Sequence, residues 1–324
     1  MIRYLLPKEG NFYKANLHCH STDSDGAFSP ETLVEGYKAH GYSILAMTDH
    51  NRLYDRSSLC SEDFLVLNGF EYDHYPFPLR GRNLHINMIA KDPKNLTKPE
   101  LDKEITPGVE CGNDTEFTAK INKQIKTAND AGFLTIYNHM RWSHDTDADA
   151  LSYEGFFGME VFNYFSEILS IDEYNFSTFA SMIRAGKKIC PIMADDNHNL
   201  MGAKNIELTL EDRWDTSFGG WIQIKAPDLK YETIIQALEA GDFYASQGPE
   251  IHELYIEDGN KLHISCSPVK SIGVVTAERR GRSHWSRTKT FTEADFELSE
   301  NADFVIVEII DEHGRHAVSQ AYYL

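Results

Sequence analysis

Five separate apolar runs in this chain each stop at a histidine or a carboxylate. Asn16–His20 carries His18 and His20, Ile44–Thr48 leads into Asp49-His50-Asn51, and Phe64–Phe70 is followed by Glu71. Phe133–Asn138 is followed by His139, and Ile189–Ala194 by Asp195-Asp196-Asn197-His198. One polar strand end means little, but five ends of this chemistry point to one shared rim. Helical patterns lie between the runs. Ser29-Pro30-Glu31 opens one, with Ser as N-cap and Pro in the first turn, and Gly41 closes it. Asp114 caps a second that runs to about Asp130, a third spans Tyr174 to Ala185, and a fourth surrounds Tyr231–Ala240. Strand–helix alternation of this kind means a parallel sheet or a closed β/α barrel. In barrels, that rim is where sites are built.

After Gly248-Pro249 the pattern changes. Leu254–Glu257, Lys261–Cys266, Ile272–Thr276, Thr288–Thr292 and Phe304–Ile310 are short runs separated by turn residues such as Asp258-Gly259-Asn260, without helical periodicity. They predict a small antiparallel sandwich. The expected organisation is an α/β domain over residues 1–246 and an all-β domain over 247–324.

The balance of charge excludes one class of function. With 50 acidic against 31 basic residues the formal charge is −19, which opposes broad, sequence-independent binding to a nucleic-acid backbone. It leaves room for one phosphate in a locally positive pocket. No run of about 18 apolar residues occurs, so no membrane-spanning helix is expected. Pro7, Lys8 and Glu9 interrupt the short apolar stretch Ile2–Leu6, so no signal peptide is expected there. The five cysteines are scattered, with no CxxC pair, which fits a reducing cytoplasm better than a disulfide framework.

In His18-Cys19-His20 the two imidazoles share one face of an extended segment while Cys19 points the other way, into the core. Two histidines so spaced can hold one metal ion. Asp25-Gly26 is by itself turn chemistry. Glu71 at a strand end can bridge two cations.

Taken in order, the stretch NLHCHSTDSDGAFSPETLVEGYKAHGYSILAMTDHN, Asn16 to Asn51, resembles the polymerase and histidinol phosphatase (PHP) family through its HxHS, SDG, SP and TDHN elements. The resemblance spans about residues 12–246 and implies a distorted (β/α)7 barrel with two or three divalent metal ions, Zn, Fe or Mn. Residue by residue it implies that His18 and His20 are the HxH ligands, Asp25 the SDG aspartate, His50 the TDH histidine and Glu71 the bridging acid. His85, His139 and the pair Asp196 and His198 complete the set, with Met140 where the family usually has proline after the histidine. Asp195 is the rival to Asp196, and the DxH spacing to His198 favours Asp196. The implied grouping is His18, His20, Glu71 and Asp196; Glu71, His85 and His139; and Asp25, His50 and His198.

The implied activity is a metal-dependent phosphoesterase acting on a small phosphorylated metabolite, a nucleotide or a short oligonucleotide. A metal-bridging hydroxide would attack phosphorus, with Asp196 or His198 moving a proton in competition with ligand duty. No stable nucleic-acid complex and no membrane partner are expected, and the oligomeric state stays open. Arg141, two residues after His139, is the first candidate for a phosphate partner in the pocket, with Arg80, Arg82 and Arg52 as further candidates; the alternative reading of each is a solvated surface charge. Two alternatives are a metallohydrolase for a non-phosphate ester or amide, and a non-catalytic protein whose metals only stabilise it. The segment Glu278–Lys289 has five basic residues, one acid and Trp285. It reads first as a solvated hairpin or interface loop, with a nucleotide-binding hairpin as the alternative.

Overall fold

The structure is a computed structural model that describes residues 1–73, 83–101, 115–200, 209, 211–279 and 281–324. In chain order the first elements are β1 (Ile2–Tyr4), β2 (Asn11–Asn16), α1 (Pro30–Ala39), β3 (Ile44–Met47), β4 (Leu65–Tyr72), β5 (Ile86–Ala90) and α2 (Thr115–Asp130). There follow β6 (Phe133–Tyr137), α3 (Asp147–Ser152), β7 (Gly158–Asn163), α4 (Tyr164–Ile168), α5 (Phe176–Arg184) and β8 (Cys190–Ala194). The chain divides into two compact units that interleave along it. One comprises Lys14–Trp221 with Leu229–Glu232; the other comprises Met1–Tyr13, Ile222–Asp228 and Thr233–Leu324. This differs from the expected division at 246/247. Residues 1–13 belong with the C-terminal residues because β1 is a strand of their sheet, pairing with Ile251–Glu257.

In the α/β unit the strands lie side by side in the order β2-β3-β4-β5-β6-β7-β8. β2/β3, β3/β4, β6/β7 and β7/β8 are parallel, whereas β5 is antiparallel to both β4 and β6. The strand–helix alternation therefore does not give a uniformly parallel sheet. Every residue of β3 to β7 is buried, which is why these strands read as continuous apolar runs rather than alternating ones. The segments after β2 and β8 are joined by backbone hydrogen bonds, His20 N to Asn197 O (3.2 Å) and Asp196 N to His18 O (3.0 Å). α1 forms as its sequence directs. Ser29 Oγ accepts from Thr32 N, Pro30 occupies the first turn, and Leu33 and Tyr37 supply the buried face. The expected Asp114 cap, like Arg80 and Arg82, lies outside the described residues.

The second unit continues the chain with β9 (Trp221–Ala226), α6 (Tyr231–Ala240), β10 (Phe243–Ser246), β11 (Ile251–Glu257), β12 (Lys261–Val269), β13 (Ser271–Thr276), β14 (Arg282–Trp285) and β15 (Phe291–Glu297). β16 (Phe304–Ile310), β17 (His316–Ser319) and β18 (Tyr322–Tyr323) close it. One antiparallel sheet runs β1-β11-β12-β15, and a second antiparallel set runs β14-β13-β16-β17-β10. Leu254, Ile256 and Ile264 from the first share one core with Ile272, Val305 and Val307 from the second. Among the described residues, no helix is long and apolar enough to cross a membrane.

Candidate metal centre

The centre is built where strands of the α/β unit end. His18 and His20 follow β2, His50 follows β3, Glu71 lies in the last turn of pleat of β4, His139 follows β6, and Asp196 and His198 follow β8. His85 precedes β5 rather than following it. Because β5 runs antiparallel, with Glu71 opposite Asn87 and Tyr72 opposite Ile86, its start lies beside the end of β4 and delivers His85 to the same rim.

Glu71 is the hub. Its Oε1 lies 3.0 Å from His85 Nδ1, 3.2 Å from His139 Nε2 and 3.3 Å from His18 Nε2. Its Oε2 lies 3.1 Å from His50 Nδ1 and 3.3 Å from His20 Nε2. Asp196 Oδ1 is 3.1 Å from both His18 Nε2 and His20 Nε2. At the outer side, the exposed Asp25 lies 3.5 Å from His198 Nε2, 3.6 Å from His50 Nε2 and 3.7 Å from His20 Nδ1. Gly26 permits this turn: a Cβ there would come within 2.2 Å of the His20 carbonyl oxygen.

Three overlapping groups present ligand atoms close enough to share an ion: His18, His20, Glu71 and Asp196; His20, Asp25, His50 and His198; and His50, Glu71 and His85. The first matches the grouping implied by the motifs. The second adds His20 to the implied set. The third has His50 where His139 was expected, although His139 touches Glu71 and lies 3.8 Å from Asp196 Oδ2.

The electrostatics show what the cluster needs. Burial works to raise the Glu71 and Asp196 carboxyls, but the imidazoles around them, His85 and His18 foremost, outweigh it and hold both below the usual carboxylate range. Burial also pulls His18 and His20 down, yet the facing carboxylates push them up, His20 to about 10. His50, for which burial dominates, falls to about 4. The carboxylates call for positive charge, which protonated imidazole or a divalent cation supplies. Two buried atoms aimed into the cluster, His50 Nδ1 and Asp196 Oδ1, lie 3.1 Å from Glu71 Oε2 and from the His18 and His20 Nε2 atoms, respectively, without meeting hydrogen-bond geometry. A nitrogen and an oxygen left open in this way fit a metal site. The chain resembles the PHP family in its site as well as in its motifs.

No protein-family model matches the chain. A stretch of 112 residues is 50% identical to a 5'-3' exoribonuclease of Haemophilus influenzae, and covers 32% of this chain and 40% of that relative. A two-domain protein of Bacteroides vulgatus, described as containing a predicted PHP-like metal-dependent phosphoesterase, is similar in structure over 99% of this chain and 97% of its own. Its identity is 14% and its TM-score 0.48. A structure from Bifidobacterium adolescentis assigned as a metal-dependent phosphoesterase covers 64% of this chain and 96% of its own, at 16% identity and TM-score 0.39. An amidohydrolase of Chromobacterium violaceum with bound sulfate and no metal covers 57% and 87%, at 17% identity and TM-score 0.33.

Around the PHP-like cluster the structure separates two adjacent aspartates. Asp196 enters the cluster, whereas Asp195 turns away. Asp195 Oδ1 accepts from Gly219 N (2.8 Å) and Gly220 N (3.0 Å), and its Oδ2 accepts from Phe218 N (2.9 Å) and the Tyr37 hydroxyl (2.7 Å). Arg141 corrects an expectation. Its guanidinium pairs with Asp147 (2.8 Å) and donates to Asn175 Oδ1 (3.1 Å), so it is held on α3 and the start of α5 and does not join the cluster. The physical reason is local. β6 ends at Tyr137 and His139 adopts φ 20°, so the period of two that would put residues 139 and 141 on one face has already broken. Arg52 is exposed.

Sequence reasoning missed Glu160. Its Oε1 lies 2.7 Å from His18 Nδ1, while its Oε2 accepts from His139 N and Asn163 Nδ2, both at 2.8 Å. A carboxylate behind a ligating histidine fixes the tautomer and ring orientation. The available signal was a lone acid inside the apolar run Met159–Phe162. Asp49 was likewise quoted only as part of a motif. It accepts from Ser21 N and Oγ, Ser24 Oγ and Arg56 Nη2, and so pins the turn that carries Asp25.

Proposed function

We propose that the chain is a metal-dependent phosphoesterase of the PHP type acting on a small phosphorylated metabolite or nucleotide. The observation that carries this reading is the convergence of the nine motif side chains, Glu71 and Asp196 among them, into one buried cluster of shared ligand atoms. Under it, β2 to β8 form a distorted closed barrel, and His18, His20, Asp25, His50, Glu71, His85, His139, Asp196 and His198 hold two or three divalent ions. Imidazole and carboxylate donors suit Zn, Fe or Mn. Such ions neutralise phosphate charge and make water available as hydroxide near neutral pH.

The chain's own residues divide the remaining work. Glu160 holds the His18 ring and Ser143 Oγ lies 3.3 Å from His139 Nδ1, so the inner histidines present their other nitrogens inward. Asp25, exposed at the mouth, and His198 beside it mark the side from which a phosphate arrives. His198 Nδ1 is held by the Asp196 carbonyl oxygen at 2.9 Å, which orients the ring and leaves Nε2 to face Asp25 as a ligand atom. Asp196, engaged with His18 and His20, acts first as a ligand and only through that role on the proton. The substrate is a small molecule met in the cytoplasm, without a stable nucleic-acid complex and without a membrane partner.

Elemental analysis of protein expressed with supplemented metal should find two or more ions per chain. Screening nucleotides, dinucleotides and sugar phosphates beside carboxyl esters and amides should give hydrolysis of a phosphate ester alone. Absence of bound metal would sink the site. Bound metal with hydrolysis confined to amides or carboxyl esters would move the activity to another reaction on the same ligands.

A further inference from the structure

The β unit carries a cationic feature that the proposed chemistry does not use. β14 is an edge strand and all four of its residues are exposed. Its last residue, Trp285, is 57% exposed. The turn after it is tightly tied. Ser286 N donates to Lys270 O (3.0 Å), and Ser286 Oγ accepts from Thr288 N (3.2 Å) and Lys289 N (3.1 Å). This turn sets Lys270, Arg287 and Lys289 with Trp285 around a cavity of about 360 Å³, against a single acid, Glu312. The Arg287 guanidinium lies 5.9 Å from the indole centroid.

Some cations elsewhere on this acidic protein take carboxylate partners, as in Lys38–Asp63, Arg141–Asp147 and Arg315–Asp311, and others lie over aromatic rings, as Lys14 and Lys225 do. Among the described residues, Lys270, Arg287 and Lys289 have none within 4.0 Å. Charge on an edge strand guards against strand-to-strand association, which accounts for Arg282. It does not account for an exposed indole ringed by three unpaired cations. A flat aromatic face with adjacent Lys and Arg stacks a base and grips its phosphate.

We propose that this cavity binds a nucleoside phosphate, with the base on Trp285 and the phosphate among Lys270, Arg287 and Lys289, presented either free or at the end of an unpaired strand. Binding here needs neither metal nor hydrolysis, so it stands or falls separately from the reaction proposed above.

Metal-free full-length protein is titrated into fluorescein-labelled tetra-adenylate and followed by anisotropy, with AMP, inorganic phosphate and oligoglutamate as competitors. Trp285→Ala should weaken binding about tenfold or more, and Trp285→Phe should restore most of it. Arg287→Ala combined with Lys289→Ala should weaken binding and flatten the log–log salt slope by about 1.4. Inorganic phosphate should compete at least about tenfold more weakly than AMP, since it cannot stack. AMP competing as well as unlabelled tetra-adenylate identifies a free nucleotide; competition by the oligonucleotide alone identifies a strand end. An unchanged affinity in a folded Trp285→Ala variant, equal competition by oligoglutamate, or no binding by the wild-type protein would overturn the proposal.

Discussion

Histidines occur in both units of this protein and meet opposite fates. In the β unit four of the five pair with a nearby acid, His252 with Glu250, His263 with Asp295, His313 with Glu312 and His316 with Glu308, while His284 packs on Phe291 and Phe296. Each such pair is complete in itself and lies at least partly in water. In the α/β unit, five histidines contact the two oxygens of one buried carboxylate, Glu71, and three of them, His18, His20 and His139, also contact Asp196. Five imidazoles there share two carboxylate oxygens, so acceptors are outnumbered. What separates a candidate ligand from an ordinary histidine is thus shared demand on one carboxylate, not the residue type and not burial alone.

The contrast can be broken experimentally. Glu71→Gln should have the largest effect, reducing metal-dependent hydrolysis by more than about 100-fold, because even residues one step removed from a metal typically matter 10–100-fold. Circular dichroism should show the fold retained. Glu160→Gln should weaken metal affinity or activity by about 10–100-fold, read by metal titration calorimetry. An unchanged affinity would mean that the His18 ring needs no support. Arg141→Ala should lower stability by about 0.5–1 kcal/mol through its exposed ion pair and its bond to Asn175, with hydrolysis changed less than about twofold. A large loss of rate would bring the guanidinium back into catalysis. His263→Ala should be the mildest, within about 0.5 kcal/mol in denaturant melts and without effect on metal content. If it removed metal, the division between the two kinds of histidine would fail.

Much of this was visible in the sequence because burial on both faces writes a strand as an unbroken apolar run, and the polar residue that ends it stands out. The apolar segment Leu84–Ala90 has the composition of a strand, but apolar content does not encode which way a strand runs; the antiparallel β5 emerges only from pairing. β1 was hidden for the opposite reason. Ile2–Tyr4 is mostly exposed and is a strand only because β11 is there to pair with it. Glu160 escaped because one acid in a run is the pattern of a half-exposed strand, and nothing local shows that both faces of β7 are covered. Arg141 was misplaced because strand geometry was extended four residues past the end of the strand.

Asp195 and Asp196 give the chain a point where phase matters. Asp196 sits at φ 54°, a left-handed conformation that aspartate tolerates better than most residues. Successive carboxylates consequently leave the backbone toward different partners. One is surrounded by four hydrogen-bond donors from the Phe218–Gly220 segment and Tyr37, the other by imidazoles. Two identical letters therefore hold two unlike jobs, and neither can lend its position to the other. Deleting a single residue between Ala194 and Asn197 would leave one aspartate for both tasks, whereas the same deletion in the exposed turn Asp258–Asn260 would alter a hairpin but no side chain of the cluster. Tolerance to length change should fall from its highest to its lowest between those two places, a reading frame set by side-chain direction rather than by codons.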